Sequence, residues 1–341
     1  MTRTTLAAVL DWFSVPEFVM TLRRNAPMWL TVLTYHRVAP AGAASTLDDG
    51  VFDVTQGLLE RQLSFVCRWF EAVGLDDLLL FAQGRKRLPN NAALVTFDDG
   101  YRDNHDFALP ILRRYGIRAT FFVATDYVER RRLFWWDRIA LAMKRSVLDR
   151  IEIDYPERTV LPLAGASERS RSIRRVQRFV KITPGLDLER FMSGVERAAG
   201  ARLEPPEERS LADETVMTWD HVVALRRAGM DVQSHTQTHR VLQTLDAAQL
   251  AQELRGSRTA LERVLGEPVR AISYPVGNPV SSTPHVRRAV RRAGYELGFS
   301  NGTGMSVLHA FDPLDVRRVS MDLSLGDRYF RAALALPWLG Y

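Results

Sequence analysis

Cysteine is almost absent from this chain: Cys67 is the only one in 341 residues. A single thiol excludes a disulfide framework and a zinc site built from thiolates. Cys67 falls in an apolar helical pattern with Leu63, Phe65, Val66, Trp69 and Phe70, which predicts a small buried side chain. Long hydrophobic runs are also missing. The apolar stretch near the start, Leu6-Ala7-Ala8-Val9-Leu10-Asp11-Trp12-Phe13, is too short and too interrupted for a membrane span. It lacks the basic start and small-residue cleavage site of a secretory leader, so a cytoplasmic chain is expected. An amphipathic N-terminal helix resting on the protein, or peripherally on the inner membrane surface, stays open. There is no fixed-period repeat and no long low-complexity segment.

What is present fits a large globular chain. With 46% hydrophobic and 25% charged residues, it can form one large domain or one domain with an insertion. The charge is uneven. Arg130 to Lys181 holds 14 Lys+Arg against 6 Asp+Glu, a balance of +8, whereas the whole chain is +6. A solvated basic face is the plain explanation, and a surface for anionic lipid or an anionic glycan is the sharper one. No nucleic-acid-binding motif accompanies the charge, so nucleic acid is not an expected partner.

Strand and helix patterns alternate. Strands are predicted at Trp29 to Tyr35, Ala92 to Phe97, Ile117 to Ala124, Met230 to Ser234, Val269 to Tyr274, Tyr295 to Phe299 and Val316 to Met321. Helices are predicted at Thr55 to Phe70, Asn104 to Tyr115, Trp219 to Ala228, Ala247 to Leu265 and His285 to Ala293. This rhythm argues for an α/β architecture with a parallel sheet or barrel. It breaks between about Asp126 and Met217, a stretch too long for a structureless loop, so a mostly helical insertion is expected there. The expected divisions are a helical segment 1–28, a first core part 29–125, the basic insertion 126–216 and a second core part 217–341.

Two strand exits carry the chemistry. Asp98-Asp99-Gly100 follows the strand ending at Phe97, and His235-Thr236-Gln237-Thr238-His239 follows the strand ending at Ser234. Residues just past the C-terminal ends of strands converge on one face of α/β folds and barrels. Either motif alone has a bland explanation, an acidic turn or two surface imidazoles. Their shared position favours a site. His235 and His239 are four apart and would face the same way on a helical turn. One carboxylate of Asp98-Asp99 can complete a two-histidine, one-carboxylate metal set. The other then remains as a base, and metal-assisted hydrolysis needs both. His36 stands at a third strand exit. His105, His221, His285 and His309 do not clearly share that context.

These motifs resemble the polysaccharide deacetylases of carbohydrate esterase family 4, the NodB-homology group. Thr96-Phe97-Asp98-Asp99-Gly100-Tyr101-Arg102-Asp103-Asn104 is similar to the family's first motif. His235-Thr236-Gln237-Thr238-His239 is similar to its second, and Ser273-Tyr274-Pro275-Val276-Gly277 occupies the third. The resemblance is dense over 30–125 and 217–300 and essentially absent in the insertion. It implies a distorted (β/α) barrel, a metal held by Asp99, His235 and His239, and Asp98 as general base. It also implies an N-acetylated sugar substrate and a place in exopolysaccharide biosynthesis.

The third motif departs from the family pattern, with Ser273 in place of the arginine that orients the base and Val276 in place of an aromatic residue. Arg37 and Arg318 are the candidates to supply the missing charge. Val276 can still offer its backbone N–H to an oxyanion. The family's late Leu-x-His motif is matched only loosely by Val307-Leu308-His309. Leu33-Thr34-Tyr35-His36-Arg37 resembles an N-terminal Tyr-His segment of poly-N-acetylglucosamine deacetylases, which favours His36 over His309 as general acid. The expected reaction is hydrolysis of an N-acetyl group at a divalent metal, zinc first, with Co, Ni or Fe as alternatives. Competing readings are an O-acetyl esterase or cyclic-amide hydrolase on the same fold, a non-catalytic glycan-binding protein, and a scaffold docked through the basic insertion. Trp135 and Trp136 follow Arg130, Arg131 and Arg132. They are expected not both to be core, with one Trp and the arginines open to a sugar, an anionic membrane surface or a lipid-linked glycan.

Overall fold

The computed structural model describes residues 15–23, 29–39, 46–321 and 326–336. The Leu6 to Phe13 stretch lies outside them, and Val15–Arg23 is a helix. Seven parallel strands close a barrel in sequence order. They are β1 (Trp29–Tyr35), β2 (Ala92–Phe97), β3 (Thr120–Val123), β4 (Asp231–Ser234), β5 (Ala271–Ser273), β6 (Leu297–Thr303) and β7 (Val316–Ser320). Pairing of β1 with both β2 and β7 closes the ring. The distorted (β/α) barrel expected from the sequence is the observed fold. Strands β1, β2 and β3 read as near-continuous apolar runs because both faces are covered, as the fully buried β2 illustrates.

Strand alternation divides the side chains. Leu30 and Val32 of β1, Leu94 of β2, Phe122 of β3, Ala271 of β5, Phe299 of β6 and Val316 of β7 form one apolar cluster. Strands that are not neighbours meet there, so this cluster is the barrel lumen. Phe122 and Phe299 touch across it with ring centroids 5.1 Å apart. The other parity, including Leu33, Tyr35, Val95, Phe97 and Phe121, packs outward against the helices. Helix Leu75–Ala82 closes the N-terminal mouth with Leu75, Leu78 and Leu79. The lumen parity continues toward the other mouth as Thr34, Thr96, Asp98, Ser273 and Arg318, all buried.

Helix Gln56–Trp69 buries Leu58, Leu59, Gln62, Leu63 and Val66. Cys67 falls just beyond this stripe and is exposed, which corrects the expectation of a buried thiol. Between β3 and β4 the chain forms helices α1 (Trp135–Arg145), α2 (Ala166–Ile182), α3 (Leu188–Ala199) and α4 (Pro205–Thr215), with an antiparallel pair of short strands between α1 and α2. A buried ion pair, Arg138 Nη2 to Glu196 Oε1 at 2.6 Å, ties α1 to α3.

The arginine cluster is stitched into this insertion. Arg131 donates to the carbonyls of Ala212, Val216 and Met217 at the end of α4, and to Asp213. Arg132 binds Glu189 and Glu208. Arg130 pairs with Asp126 and is the one of the three left largely in solvent. The expectation of three arginines open to an anionic surface is corrected, because helix-end carbonyls and insertion carboxylates take two of them. Among the described residues, no helix is long and apolar enough to cross a membrane.

Gly298 of β6 sits where no side chain fits. A Cβ there would collide with the Tyr274 hydroxyl, which donates to Leu314 O at 2.7 Å. Gly298→Ala is expected to destabilise the barrel by about 1–3 kcal/mol through overpacking. Gly194, inside α3, has open space and a helical backbone, so Gly194→Ala is expected to stabilise by about 0.5–1 kcal/mol. Urea midpoints measure both, and a midpoint unmoved by Gly298→Ala contradicts the packing.

Candidate active site at the C-terminal mouth

Asp98 continues β2. Its N–H donates to Tyr35 O at 2.8 Å, and its side chain keeps the lumen parity. Asp99 then adopts φ 74°, and Gly100 follows at φ 94°. That left-handed turn aims neighbouring carboxylates in different directions, one into the lumen and one toward the β4 exit.

The lumen carboxylate is fully held. Arg318 of β7 donates Nη1 to Asp98 Oδ1 at 2.9 Å and Nη2 to Asp98 Oδ2 at 2.8 Å. Ser273 Oγ donates to Asp98 Oδ2 at 2.9 Å and accepts from Arg318 Nη2 at 2.9 Å. Burial alone would raise the Asp98 carboxyl, but Arg318 outweighs it, helped by His235 and His36, and holds the group well below the usual carboxylate range. Of the two arginine candidates for the third motif's missing charge, Arg318 reaches Asp98. Arg37 is engaged elsewhere, with Asp103 at 2.8 Å and over the rings of Phe52 and Tyr101.

The second carboxylate faces two imidazoles. Asp99 Oδ1 lies 3.3 Å from His235 Nε2 and 3.4 Å from His239 Nε2. It is buried and has no hydrogen-bond partner among the described residues. Three ligands about 2.1 Å from one ion at tetrahedral angles stand about 3.4 Å apart, so this set fits a divalent metal of the zinc type. The protonation states also fit. The Asp99 carboxyl is lowered, because His235, His239 and His36 outweigh burial. His239 is pushed down to about 3 by burial first and by neighbouring His235 second. His235 Nδ1 lies 2.8 Å from Ser273 O, an acceptor that can only take an N–H, so Nε2 carries the lone pair.

The histidines do not share a helical turn, which corrects the sequence expectation. Thr236 at φ 66° and His239 at φ 53° curl the loop instead. Buried Glu253 pins that curl: its carboxylate accepts the N–H of Gln237 at 2.8 Å, the N–H of Thr238 at 2.9 Å and the Thr238 hydroxyl. Glu253 was not legible as a site residue, because it lies mid-helix in Ala247–Leu265 with the usual look of a solvated position.

The insertion reaches the same loop. Trp135 Nε1 donates to His239 O at 3.3 Å, and the Trp136 ring centroid lies 4.5 Å from that of His239. Trp136 Nε1 donates to Tyr101 Oη at 2.6 Å, and Tyr101 donates to buried Asp137 at 2.9 Å. Trp135 and Trp136 are only 3% and 4% exposed, so the expectation that one stays open is corrected. They wall the site rather than meet a membrane.

His36 lines the same cleft, with Nδ1 3.0 Å from Asp53 Oδ2. Burial pulls the imidazolium down, but Asp53, with Asp99 and Asp98, outweighs it and pushes His36 up to about 9. Asp53 was missed in the sequence. It sits on a short strand, Phe52–Thr55, that pairs with Arg37–Ala39 directly after His36. Val276 adopts φ 62° on the turn after β5 and also lines the cleft. His309 is exposed on the turn Leu308–Ala310, beside a strand that pairs with the start of β1, at the opposite mouth. The cleft has a volume of about 450 Å³.

Comparison with known proteins places this chain among relatives. The polysaccharide deacetylase family model matches residues 85–154 and 194–298. The match enters both ends of the stretch expected to fall outside the resemblance. YxkH, a candidate polysaccharide deacetylase of Bacillus subtilis, is 26% identical over 108 residues, which is 30% of this chain and 34% of that protein. The alignment therefore spans about a third of that relative. The Streptococcus pyogenes deacetylase PplD in complex with acetate superposes with a TM-score of 0.55 at 16% identity, covering 87% of this chain and 93% of that one. IcaB from Ammonifex degensii gives 0.55 at 20% identity, covering 90% and 97%. These likenesses are of fold.

The His36–Asp53 pair generates a pH prediction for the metal-free protein. His36 is expected to titrate near 9 by NMR, above its unperturbed 6.5, so its pairing with Asp53 stabilises the fold fully below 6.5 and is lost as pH rises through about 9. In Asp53→Asn, burial is no longer outweighed by that partner, and the midpoint is expected to fall by more than one unit. An unmoved midpoint contradicts the assignment.

Proposed function

The chain belongs to the polysaccharide deacetylase family, and from that premise we propose that it is a metal-dependent hydrolase removing N-acetyl groups from an amino-sugar glycan or glycan precursor. The observation that carries this is the split between adjacent carboxylates. Asp98 is satisfied by Arg318 and Ser273, whereas buried Asp99 Oδ1 has only two imidazole nitrogens before it. Asp99, His235 and His239 would hold the ion, with zinc first and Co, Ni or Fe as alternatives. When bound, such an ion supplies Lewis acidity for the acyl oxygen and makes water easier to deprotonate.

The chain's own groups do the rest. Asp98 Oδ2 already accepts two hydrogen bonds, while Oδ1 accepts one and keeps a lone pair. The proton of the attacking water is received by this carboxylate, whose Oδ2 lies 3.8 Å from His235 Nε2. Arg318 keeps that carboxylate ionised and fixes its plane. The Val276 N–H is the proposed donor to the acyl oxygen as negative charge develops there. His36 has Nδ1 on Asp53, so Nε2 delivers a proton to the departing nitrogen, giving acetate and a free amine.

This acid supports an amide substrate over an ester, since an amine leaves only once protonated. O-acetyl esters are the second reading, and cyclic amides the third. A purely glycan-binding role is disfavoured, because a binder has no use for the Arg318–Ser273 support of Asp98.

Acetate release from N-acetylglucosamine oligomers and from acetylxylan, after chelation and metal add-back, tests the reading. Asp98→Asn is expected to retain zinc and lose turnover by at least about 10²-fold. Asp99→Ala, His235→Ala and His239→Ala are expected to lose zinc and turnover together. His36→Ala is expected to lose about 10²–10⁴-fold in turnover with zinc retained, and His309→Ala nothing. Full activity without metal would sink the proposal.

A further inference from the structure

Helix α2 of the insertion forms one wall of the cleft. Ser170, Ile173, Arg174, Gln177 and Lys181 line it, a stripe at helical spacing. The wall is anchored: Ile173 is buried, and Gln177 Nε2 donates to Asp48 Oδ2 at 2.7 Å. Lys181 is half-buried and Arg174 is exposed. Among the described residues, neither has a hydrogen bond or an ion-pair partner.

The other cations of the cleft are matched. Lys144 pairs with Asp49, His36 with Asp53 and Arg318 with Asp98. Asp48 accepts from Gln177 and from the N–H of Gly50, neutral donors that leave its charge acting on Lys181. Asp99 is the proposed ligand of a divalent cation. With that ion in place, the cleft carries more positive than negative charge, and Arg174 and Lys181 are its cations without an ion-pair partner among the described residues. A neutral acetylated polymer gains nothing from such a wall. Its deacetylated units, bearing ammonium groups, are repelled by it. A sugar carrying an anionic group is attracted, and steering by one-signed clefts raises local substrate concentration.

We propose that α2 is the specificity element of this site, and that Lys181 and Arg174 seat a phosphate or carboxylate carried by the acetylated amino sugar. This rests on the deacetylase reading, and the two can fail separately. Neither residue touches the reacting atoms, so both act on substrate choice. The anion sits on an ammonium and a guanidinium, a pairing stronger than neutral hydrogen bonds.

The test is titration calorimetry on the zinc-loaded protein with N-acetylglucosamine, its 1-phosphate, its 6-phosphate and the corresponding N-acetylaminouronate. The acetate-release assay runs on the same sugars. One or more anionic sugars are expected to bind at least about tenfold tighter than the neutral one, and the advantage should shrink with added salt. Whether the phosphates or the uronate gain identifies the group. Lys181→Gln and Arg174→Gln are each expected to remove roughly 10- to 100-fold of affinity for the preferred anion and to leave the neutral sugar unchanged. Equal binding of neutral and anionic sugars overturns the proposal, as does a preference that survives the double variant. If anionic sugars bind selectively but no sugar releases acetate, the deacetylase reading fails and the anion site stands. If neutral oligomers are hydrolysed and charged sugars gain nothing, the reverse holds.

Discussion

The ion pair between Asp98 and Arg318 governs the rest of the site. Two full charges inside a barrel lumen are costly to desolvate, and removing one partner of such a pair typically costs about 3–5 kcal/mol. Here the geometry is bidentate, and Ser273 completes it. Strand parity puts both groups in the lumen: Asp98 follows Leu94 and Thr96 on β2, and Arg318 follows Val316 on β7. Once Asp98 is locked there, the turn at Asp99 has one outlet, toward the β4 exit. Adjacent aspartates thus reach different surroundings, one neutralised by a guanidinium and one facing two imidazoles.

Much of this was legible because it is local. Strands β1, β2 and β3 follow from apolar runs, as expected of parallel strands covered on both faces, whereas β4 and β7 mix polar and apolar residues. Helix Ala247–Leu265 also follows from its pattern, with Asp246 and Gly266 as its caps. The positions of Asp98, Asp99, His235 and His36 follow from standing just past strand ends. The partners that tune them are long-range and left no local mark. Asp53 pairs with His36 through a minor sheet, and Glu253 pins the histidine loop from mid-helix. Arg318 was one of two candidates. Its inward parity with Val316 was the signal that separates it from Arg37. The misread positions share a cause as well. Cys67 sits one position beyond a buried stripe, and Trp135 and Trp136 are buried by the β4 loop, whose approach no local pattern announces.

The insertion is part of the site rather than an ornament on the barrel. Helix α1 contributes Trp135 and Trp136 against His239, and α2 contributes the cationic wall. The buried Arg138–Glu196 pair and the Arg131 and Arg132 contacts hold these helices together, so part of the basic surplus in this stretch is spent internally. What remains over the cleft is two cations in a defined place. That restricts substrate choice to the loops, as is general for barrels, while the chemistry stays on the strands.

Arg318 is what separates the surroundings of the two carboxylates. Arg318→Lys keeps the charge and loses the bidentate fork. Zinc affinity and the pH dependence of kcat are the quantities to measure together on this variant. Zinc affinity is expected within a few-fold of the parent, with a reduced kcat and an acid limb displaced to higher pH as the Asp98 carboxyl is released from its depressed state. A variant that loses zinc in step with turnover, or whose acid limb does not move, contradicts that role of Arg318.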